Sequence, residues 1–218
     1  NATGSAITIR DATTVALGNT TAASGTVVLG VGQDITGAVT QNASTAINAD
    51  TVTASTANSI SLDSTTNTLT NLGTVTRGGA LTVVDSAGGL TLTGSATTGT
   101  TTNAVSISTA TGALSMGTNS ITASGGTGTL SLTGVGVSQS TGTLTVGSTT
   151  TVNAGTGTID LASATNDFTG AVTLNATGAT VSVRDANNLT LAAPTLGANT
   201  GITAIAGGTL TLPAATNF

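Results

Sequence analysis

Two carboxylates, Asp160 and Asp167, are the pair in this sequence whose spacing comes closest to a hydrolytic site. Glycoside hydrolases use two carboxyl groups, one as general acid and the other as base or nucleophile. Side chains seven residues apart could face each other across a turn. The chain contains no His, Cys, Lys, Glu or Tyr, so the usual general bases and activated nucleophiles are missing. We therefore interpret both carboxylates as solvated turn or surface groups. We predict no catalytic residue and no cofactor-binding residue, and we expect that the protein is not an enzyme.

The dipeptides Arg10-Asp11 and Arg184-Asp185 are the most distinctive polar motif. Adjacent residues of a strand point to opposite faces, so the two charges of a pair are not partners of each other while the strand continues. One interpretation is that the Arg contacts a carbohydrate or an anion. The interpretation that we favour is structural: the Asp ends a strand and caps a turn, and the Arg pairs with a neighbouring coil.

Metal and ice binding are two further possibilities for a chain of this composition. Calcium-binding β-rolls repeat Gly-Gly-x-Gly-x-Asp, and the nearest stretch here, residues 125–130, ends in Leu instead of Asp. The eight Asp are scattered along the chain, and we predict no metal site. Flat ice-binding solenoids repeat Thr-x-Thr, whereas here a single hydroxyl usually separates two apolar residues, as in Leu90-Thr91-Leu92. Ice binding is therefore not expected.

The overall charge excludes other classes of partner. Three Arg and eight Asp give a net charge of -5, without the basic patch that nucleic acid binding requires. No apolar run approaches the roughly 18 residues of a membrane-spanning helix, so no transmembrane segment is predicted.

Disordered chains combine low hydrophobicity with high charge. This chain is 38% hydrophobic with a mean hydropathy of +0.36, which indicates a packed interior.

The elements that would position any site are very short strands. A unit of apolar, small or hydroxyl, and apolar residue recurs throughout the chain, and this period-2 alternation is typical of a strand with one buried face. Neighbouring units often lie 8 or 9 residues apart, and two or three of them with their turns fill a coil of roughly 20–25 residues. Such a coil cannot bury its own apolar face and must stack on its neighbours. The sequence therefore predicts an all-β fold, a right-handed parallel β-helix (β-solenoid).

A longer period is superimposed on the strand units. Residues 58–69 align with residues 157–168, and Val39-Thr40-Gln41 aligns with Val137-Ser138-Gln139. Residues 81–85 align with residues 181–185, and the same motif occurs near the start of the chain at residues 7–12. The motif of residues 157–168 begins again at residues 208–218. Asn67 and Asn166 are candidates for equivalent turn positions. We predict that residues 1–218 form a single β-solenoid segment of about two imperfect repeats near 99 residues each, cut from a longer array.

The repeats in residues 157–174 and 181–191 resemble the β-strand repeats of giant bacterial exoproteins of the filamentous haemagglutinin type, which leave the cell by two-partner secretion. The resemblance covers most of the chain, because the repeats do. It implies a right-handed parallel β-helix, adhesive work, and an extracellular location, either secreted or on a bacterial cell surface. Nothing in the chain matches the secretion domain of that family.

The expected function is therefore that of a structural or adhesive rod in a large bacterial surface or secreted protein, acting in cell adhesion, biofilm or matrix. The expected partners are components of a host surface, a neighbouring cell or a matrix. One alternative is a fibre subunit that associates end to end with copies of itself. A second alternative is a solenoid whose side face binds glycans, although two Phe and no Trp or Tyr speak against sugar stacking.

Overall fold

The computed structural model describes residues 2–98, 103–178, 180–198 and 200–214. Within these ranges the regular structure consists of 25 short β-strands, and there is no helix. All pairings between named strands are parallel, and each strand pairs with strands of the preceding or following coil. The stack contains about nine coils. This confirms the predicted all-β parallel β-solenoid.

The strands form two large sheets and a small one. We call the nine-stranded sheet the first ladder. It consists of β2 (Val15–Leu17), β4 (Val39–Gln41), β6 (Ile60–Leu62), β8 (Leu81–Asp85), β11 (Val105–Thr109), β14 (Leu130–Thr133), β17 (Thr150–Asn153), β20 (Val172–Ala176) and β23 (Thr195–Leu196).

The 14-stranded sheet starts as one stack and then divides. Its N-terminal strands are β1 (Ile7–Ile9), β3 (Thr20–Leu29), β5 (Ile47–Thr56) and β7 (Thr68–Arg77). One half of β7 pairs with a branch that we call the second ladder, and the other half pairs with a branch that we call the third ladder. The second ladder contains β9 (Leu90–Leu92), β12 (Leu114–Ser115), β15 (Val137–Ser138), β18 (Ile159–Leu161), β21 (Val181–Asp185) and β24 (Ile202–Ala206). The third ladder contains β10 (Ala96–Thr98), β13 (Ile121–Ala123), β16 (Leu144–Val146) and β19 (Asp167–Phe168). The small sheet pairs β22 (Leu189–Thr190) with β25 (Leu210–Thr211).

The period-2 pattern explains which side chains face inward. In β8, Leu81 and Val83 are buried, whereas Thr82 between them is half-buried and points outward. Most inward apolar residues stack on an inward apolar residue of the next coil, because the parallel pairing keeps inward positions in register; at Leu130 the stacked residue is the buried Thr150. One such column in the second ladder is Leu90, Leu114, Val137, Ile159 and Val181, all at most 1% exposed. Burial of each such side chain contributes on the order of 1.5–3 kcal/mol.

The coil length varies about the predicted 20–25 residues and reaches 27 between Thr20 and Ile47. Turns and one register shift absorb the variation. Ile7 pairs with Val27, 20 residues later, whereas Val27 pairs with Val52, 25 residues later. Several turns lie so close to the turn of the adjacent coil that only glycine fits. At Gly147 a Cβ atom would overlap the carbonyl oxygen of Gly125 in the preceding coil. Among the described residues, no helix is long and apolar enough to cross a membrane.

Candidate functional site

The two carboxylates considered for hydrolysis lie in different ladders. Asp160 points outward from β18 in the second ladder and is exposed. Asp167 stands next to the buried Phe168 in β19 of the third ladder, on the outward side of that strand. The structure thus does not bring them together as an acid–base pair. Within the described ranges, no group of three or more Asp side chains is placed to hold a metal ion.

The Arg-Asp dipeptides behave differently at their two positions. Arg10 Nε donates a hydrogen bond of 2.8 Å to Asp34 Oδ2 in the next coil, as predicted for an inter-coil pair. The hydrogen bond from Arg10 and the positive charge of Arg10 lower the pKa of Asp34. The same hydrogen bond and the negative charge of Asp34 raise the pKa of Arg10. Arg184 is exposed and takes part in no ion pair within the described part of the chain, so the predicted pairing does not hold there.

Asp185 is fully buried and caps a turn, which confirms the structural interpretation of this residue. Asp185 Oδ1 accepts a hydrogen bond of 2.8 Å from the backbone N–H of Asn187. Asp185 Oδ2 accepts one of 3.1 Å from the backbone N–H of Phe168, which belongs to the preceding coil. Burial raises the pKa of Asp185, and the nearby carboxylate of Asp167 raises it further, while the two N–H donors oppose the shift.

Next to Asp185, the backbone N–H of Ala186 donates to the backbone oxygen of Asn166, whose side chain is paired with Gln139. We call Gln139, Asn166 and Asp185 together the second polar node. Asn166 has no exposed surface and Gln139 is 6% exposed. Gln139 Nε2 donates to Asn166 Oδ1 at 2.8 Å, and Asn166 Nδ2 returns a bond to Gln139 Oε1 at 2.9 Å. Asn166 also accepts from the backbone N–H of Leu144 and donates to the backbone oxygen of Leu161. Because Gln139, Asn166 and Asp185 lie in three successive coils, the node joins these coils through side chains.

The same cluster occurs in the first long repeat as Gln41, Asn67 and Asp85, the first polar node. Gln41 Nε2 donates to Asn67 Oδ1 at 2.7 Å, and Asn67 Nδ2 returns a bond to Gln41 Oε1 at 3.0 Å. The backbone N–H of Ile47 donates to Asn67 Oδ1, and that of Leu69 donates to Asp85 Oδ1. The predicted equivalence of Asn67 and Asn166 is therefore confirmed: both exchange two bonds with a Gln, accept from a strand N–H and donate to a Leu backbone oxygen.

A surface turn with a pair of hydroxyl groups accompanies each node. We call residues 63–66 and 162–165 the hydroxyl turns. In the first, Ser64 Oγ lies 2.9 Å from Thr66 Oγ1, and in the second, Ser163 Oγ lies 3.1 Å from Thr165 Oγ1. The first hydroxyl turn and the turn of the preceding coil, residues 42–44, line an open groove of about 440 Å³. In both turns the Thr, Thr66 or Thr165, is exposed, whereas Ser64 is half-buried and Ser163 is 6% exposed.

Arg77 is a buried cation whose hydrogen bonds are all to backbone oxygens. It lies at the end of β7 without exposed surface, donating from Nη1 to Thr97 O at 3.1 Å and from Nη2 to Thr122 O at 3.0 Å. Its Nε has no hydrogen-bond partner, and no ion pair reaches it within the described residues. Burial lowers the pKa of Arg77 to about 10. Its acceptors lie one and two coils further on, so the side chain runs along the solenoid axis.

The inward position of Arg77 was not predicted from the sequence, in which it is one of three basic residues. The signal that could have placed it is the alternation in Val75-Thr76-Arg77, which puts Arg77 on the same inward side as Val75. In β8, Asp85 follows Leu81 and Val83 at every second residue, so the alternation places its side chain on the inward side of the strand.

The outward side of the first ladder carries hydroxyl groups in a regular column. Its members, one per coil, are Thr40, Ser61, Thr82, Ser106, Ser131, Thr151 and Thr173. A second column stands beside it, with Ser108 and Thr133 leading to Asn153 and Asn175. The amides of Asn153 and Asn175 are hydrogen-bonded to each other at 2.8 Å. Paired hydroxyls in one strand, as at Ser106 and Ser108, differ from the single hydroxyls expected from the sequence.

Comparison with known proteins gives one match. The model of a family described as repeats of unknown function (DUF5649) matches residues 102–175, about a third of the chain. No curated protein and no solved structure was found to match. The matched stretch runs through β11 to β20 and contains Gln139 and Asn166 of the second polar node. The chain is thus similar over this stretch to a family of repeats, in agreement with its β-solenoid repeat architecture.

Proposed function

We propose that the chain is a structural and adhesive rod of a large bacterial surface or secreted protein. The observation that carries this proposal is the unbroken stacking of the first ladder through nine strands. Backbone groups of each strand are bonded to the coils on either side, so tension or shear on one coil is passed to the next. Such a stack is suited to a rigid structural element that keeps two attached structures at a fixed distance.

The outer surface supports an adhesive role. The hydroxyl column of the first ladder is uncharged, and the side chains of Thr82, Ser106 and Ser131 make no hydrogen bond within the described protein. Their donors and acceptors are directed to the surroundings, where a hydroxyl-rich surface or matrix polymer offers complementary groups. The resemblance to filamentous haemagglutinin-type repeats agrees with this role and with secretion by the two-partner route.

The test is display of the whole chain on a non-adherent bacterium through an unrelated membrane anchor. We expect attachment to cultured epithelial cells or to a pre-formed biofilm matrix to rise several-fold over cells that display the anchor alone. A matched control replaces Thr82, Ser106 and Ser131 together by Asp, which adds like charges to the column while leaving the inward positions unchanged. Attachment equal to the anchor control would overturn the adhesive part of the proposal.

A further inference from the structure

The groove between residues 42–44 and the first hydroxyl turn brings together polar side chains from two neighbouring coils. Its volume is about 440 Å³, and Asn42, Ser44, Asp63 and Thr65 all line it. These four residues are exposed, and their side chains form no hydrogen bond within the described part of the chain. Their donors and acceptors are therefore available to a bound molecule.

The first polar node holds the two walls of this groove together. Gln41 immediately precedes one wall and Asn67 immediately follows the other, and their side chains exchange two hydrogen bonds. Gln41 Oε1 also accepts from the backbone N–H of Ser64 at 3.3 Å. Thr66 Oγ1 donates to the backbone oxygen of Thr45 at 3.1 Å. Walls whose spacing is set before binding reduce the entropic cost of holding a ligand.

Ser44 occupies a backbone conformation that side chains other than glycine rarely adopt, with φ at 61°. Such conformations cluster at ligand sites and persist only where the surroundings enforce them. Here the enforcement comes from Thr45, whose backbone N–H and Oγ1 both donate to the backbone oxygen of Asn42, at 3.3 and 2.7 Å. The turn thus keeps Ser44 on the lining of the groove.

The chemistry of the lining selects the class of ligand. Of the described residues that line the groove, Asp63 alone is charged, so a metal ion would find a single carboxylate and an anion would be repelled. Its largest apolar groups are the methyls of Ala43 and of the threonines, which offer little to an apolar peptide. A neutral ligand rich in hydroxyl groups fits, because a carboxylate accepts from adjacent hydroxyls and a carboxamide both donates and accepts.

We propose that this groove binds one neutral hexose residue of a surface or matrix glycan. Asp63 accepts hydrogen bonds from two adjacent hydroxyl groups of the sugar, and Asn42 and Ser44 bond to the sugar from the opposite wall. The chain has no Trp or Tyr, so hydrogen bonds and not stacking on an aromatic ring provide the recognition. A ligand of this size bound in this way has a Kd on the order of 1–10 mM. The proposal rests on the adhesive function proposed above and names its partner class.

The second long repeat provides an internal comparison. It keeps the node, but Ala162 stands in place of Asp63 and Ser140 in place of Asn42. The equivalent turns therefore lack both the carboxylate and the carboxamide that the sugar requires. We expect residues 140–142 and 162–165 not to bind the hexose.

Titration of the isotope-labelled whole chain, followed by the NMR shifts of its backbone amides, tests the site. The probes are the methyl pyranosides of glucose, galactose and mannose, each added to about 50 mM, well above the expected Kd. We expect at least one sugar to give saturable shifts confined to residues 42–44 and 63–66. Asp63→Ala should weaken this binding about tenfold or more, because it removes a charged hydrogen-bond acceptor. Asp160→Ala is the matched control, since it removes an exposed carboxylate of the second ladder and should leave the Kd unchanged.

No saturable shift with any of the three sugars, or an equal Kd for the native chain and Asp63→Ala, would overturn the proposal. Equal shifts in residues 140–142 and 162–165 would overturn it as well. The same spectra show whether each variant is folded. Sugar binding by a chain that fails to adhere when displayed on cells would count against the proposed adhesive function alone. Adhesion by a chain that binds none of the sugars would count against the groove alone.

Discussion

Gln139 and Asn166 exchange two amide hydrogen bonds between neighbouring coils, at 2.8 and 2.9 Å. Gln41 and Asn67 do the same 98 and 99 residues earlier in the chain, at 2.7 and 3.0 Å. In each case the Asn also accepts from the backbone N–H that begins a strand of the preceding coil and donates to the backbone oxygen at the end of the strand just before it. The long repeat thus encodes a recurrent side-chain link between coils in addition to the apolar columns.

Replacement of Asn67 by Ala should destabilise the protein markedly. The change leaves the buried N–H of Ile47 without a partner and removes the side-chain donor to the backbone oxygen of Leu62. It also removes both hydrogen bonds to Gln41, whose carboxamide keeps its bonds to Thr45 and Ser64. Each unsatisfied buried group costs about 1–3 kcal/mol. We expect the free energy of unfolding in urea to fall by about 2–4 kcal/mol. Asn42→Ala is the matched control, because the side chain of Asn42 is exposed and makes no hydrogen bond, and it should change stability by less than about 0.5 kcal/mol. Equal effects of the two substitutions would show that the node does not stabilise the stack.

The fold and the Asn equivalence were predictable from sequence, because both depend on local patterns. Alternation of apolar and hydroxyl residues fixes the inward side of each strand, and spacings of 8 or 9 residues fix the coil. The register between coils was not predictable, because it depends on how many residues each turn absorbs, and paired strand residues of neighbouring coils lie from 20 to 27 residues apart. The hydrogen-bond partners of Gln139 and Arg77 lie in other coils, so they can be identified only when the strand register between coils is known.

Asp185 should make stability depend on pH in the acidic range. Burial raises the pKa of Asp185 in the folded protein above its ordinary value of 3.8. Between these two pKa values the folded state binds more protons than the unfolded state, so the free energy of unfolding falls as pH rises through this window. In Asp185→Asn this contribution is absent. Urea unfolding at intervals from pH 3 to pH 7 should show the native chain losing stability relative to the variant as pH increases, and a constant difference would contradict the assignment.

Arg77 should act in the opposite direction at alkaline pH. Burial lowers the pKa of Arg77 from its ordinary value to about 10, so above pH 10 the unfolded chain binds more protons and the free energy of unfolding rises with pH. We expect a gain of about 1 kcal/mol by pH 11. The chain has no Lys, Tyr or Cys to titrate in the same range. Arg77→Met, which replaces the cation by an apolar side chain, should remove the gain. A rise of equal size in the variant would assign the effect to another group.

Gly147→Ala should weaken the contact between stacked turns. The added Cβ would overlap the carbonyl oxygen of Gly125, so one turn has to shift, at a cost of about 1–3 kcal/mol. Gly126→Ala is the control in the turn beneath, because a Cβ there meets no atom within 4 Å. We expect the thermal midpoint to fall for Gly147→Ala and to stay level or rise slightly for Gly126→Ala. A fall in both would indicate a general intolerance of side chains in these turns.

Pulling a single molecule by its two ends tests most directly whether the chain is a load-bearing stack of coils. The account predicts resistance to force followed by a succession of steps, each releasing one or a few coils of 20–25 residues, or about 70–90 Å of chain per coil. Such steps follow from coils that are each held mainly by their neighbours. Extension of the whole chain without resistance, or its release in one single step, would contradict the account.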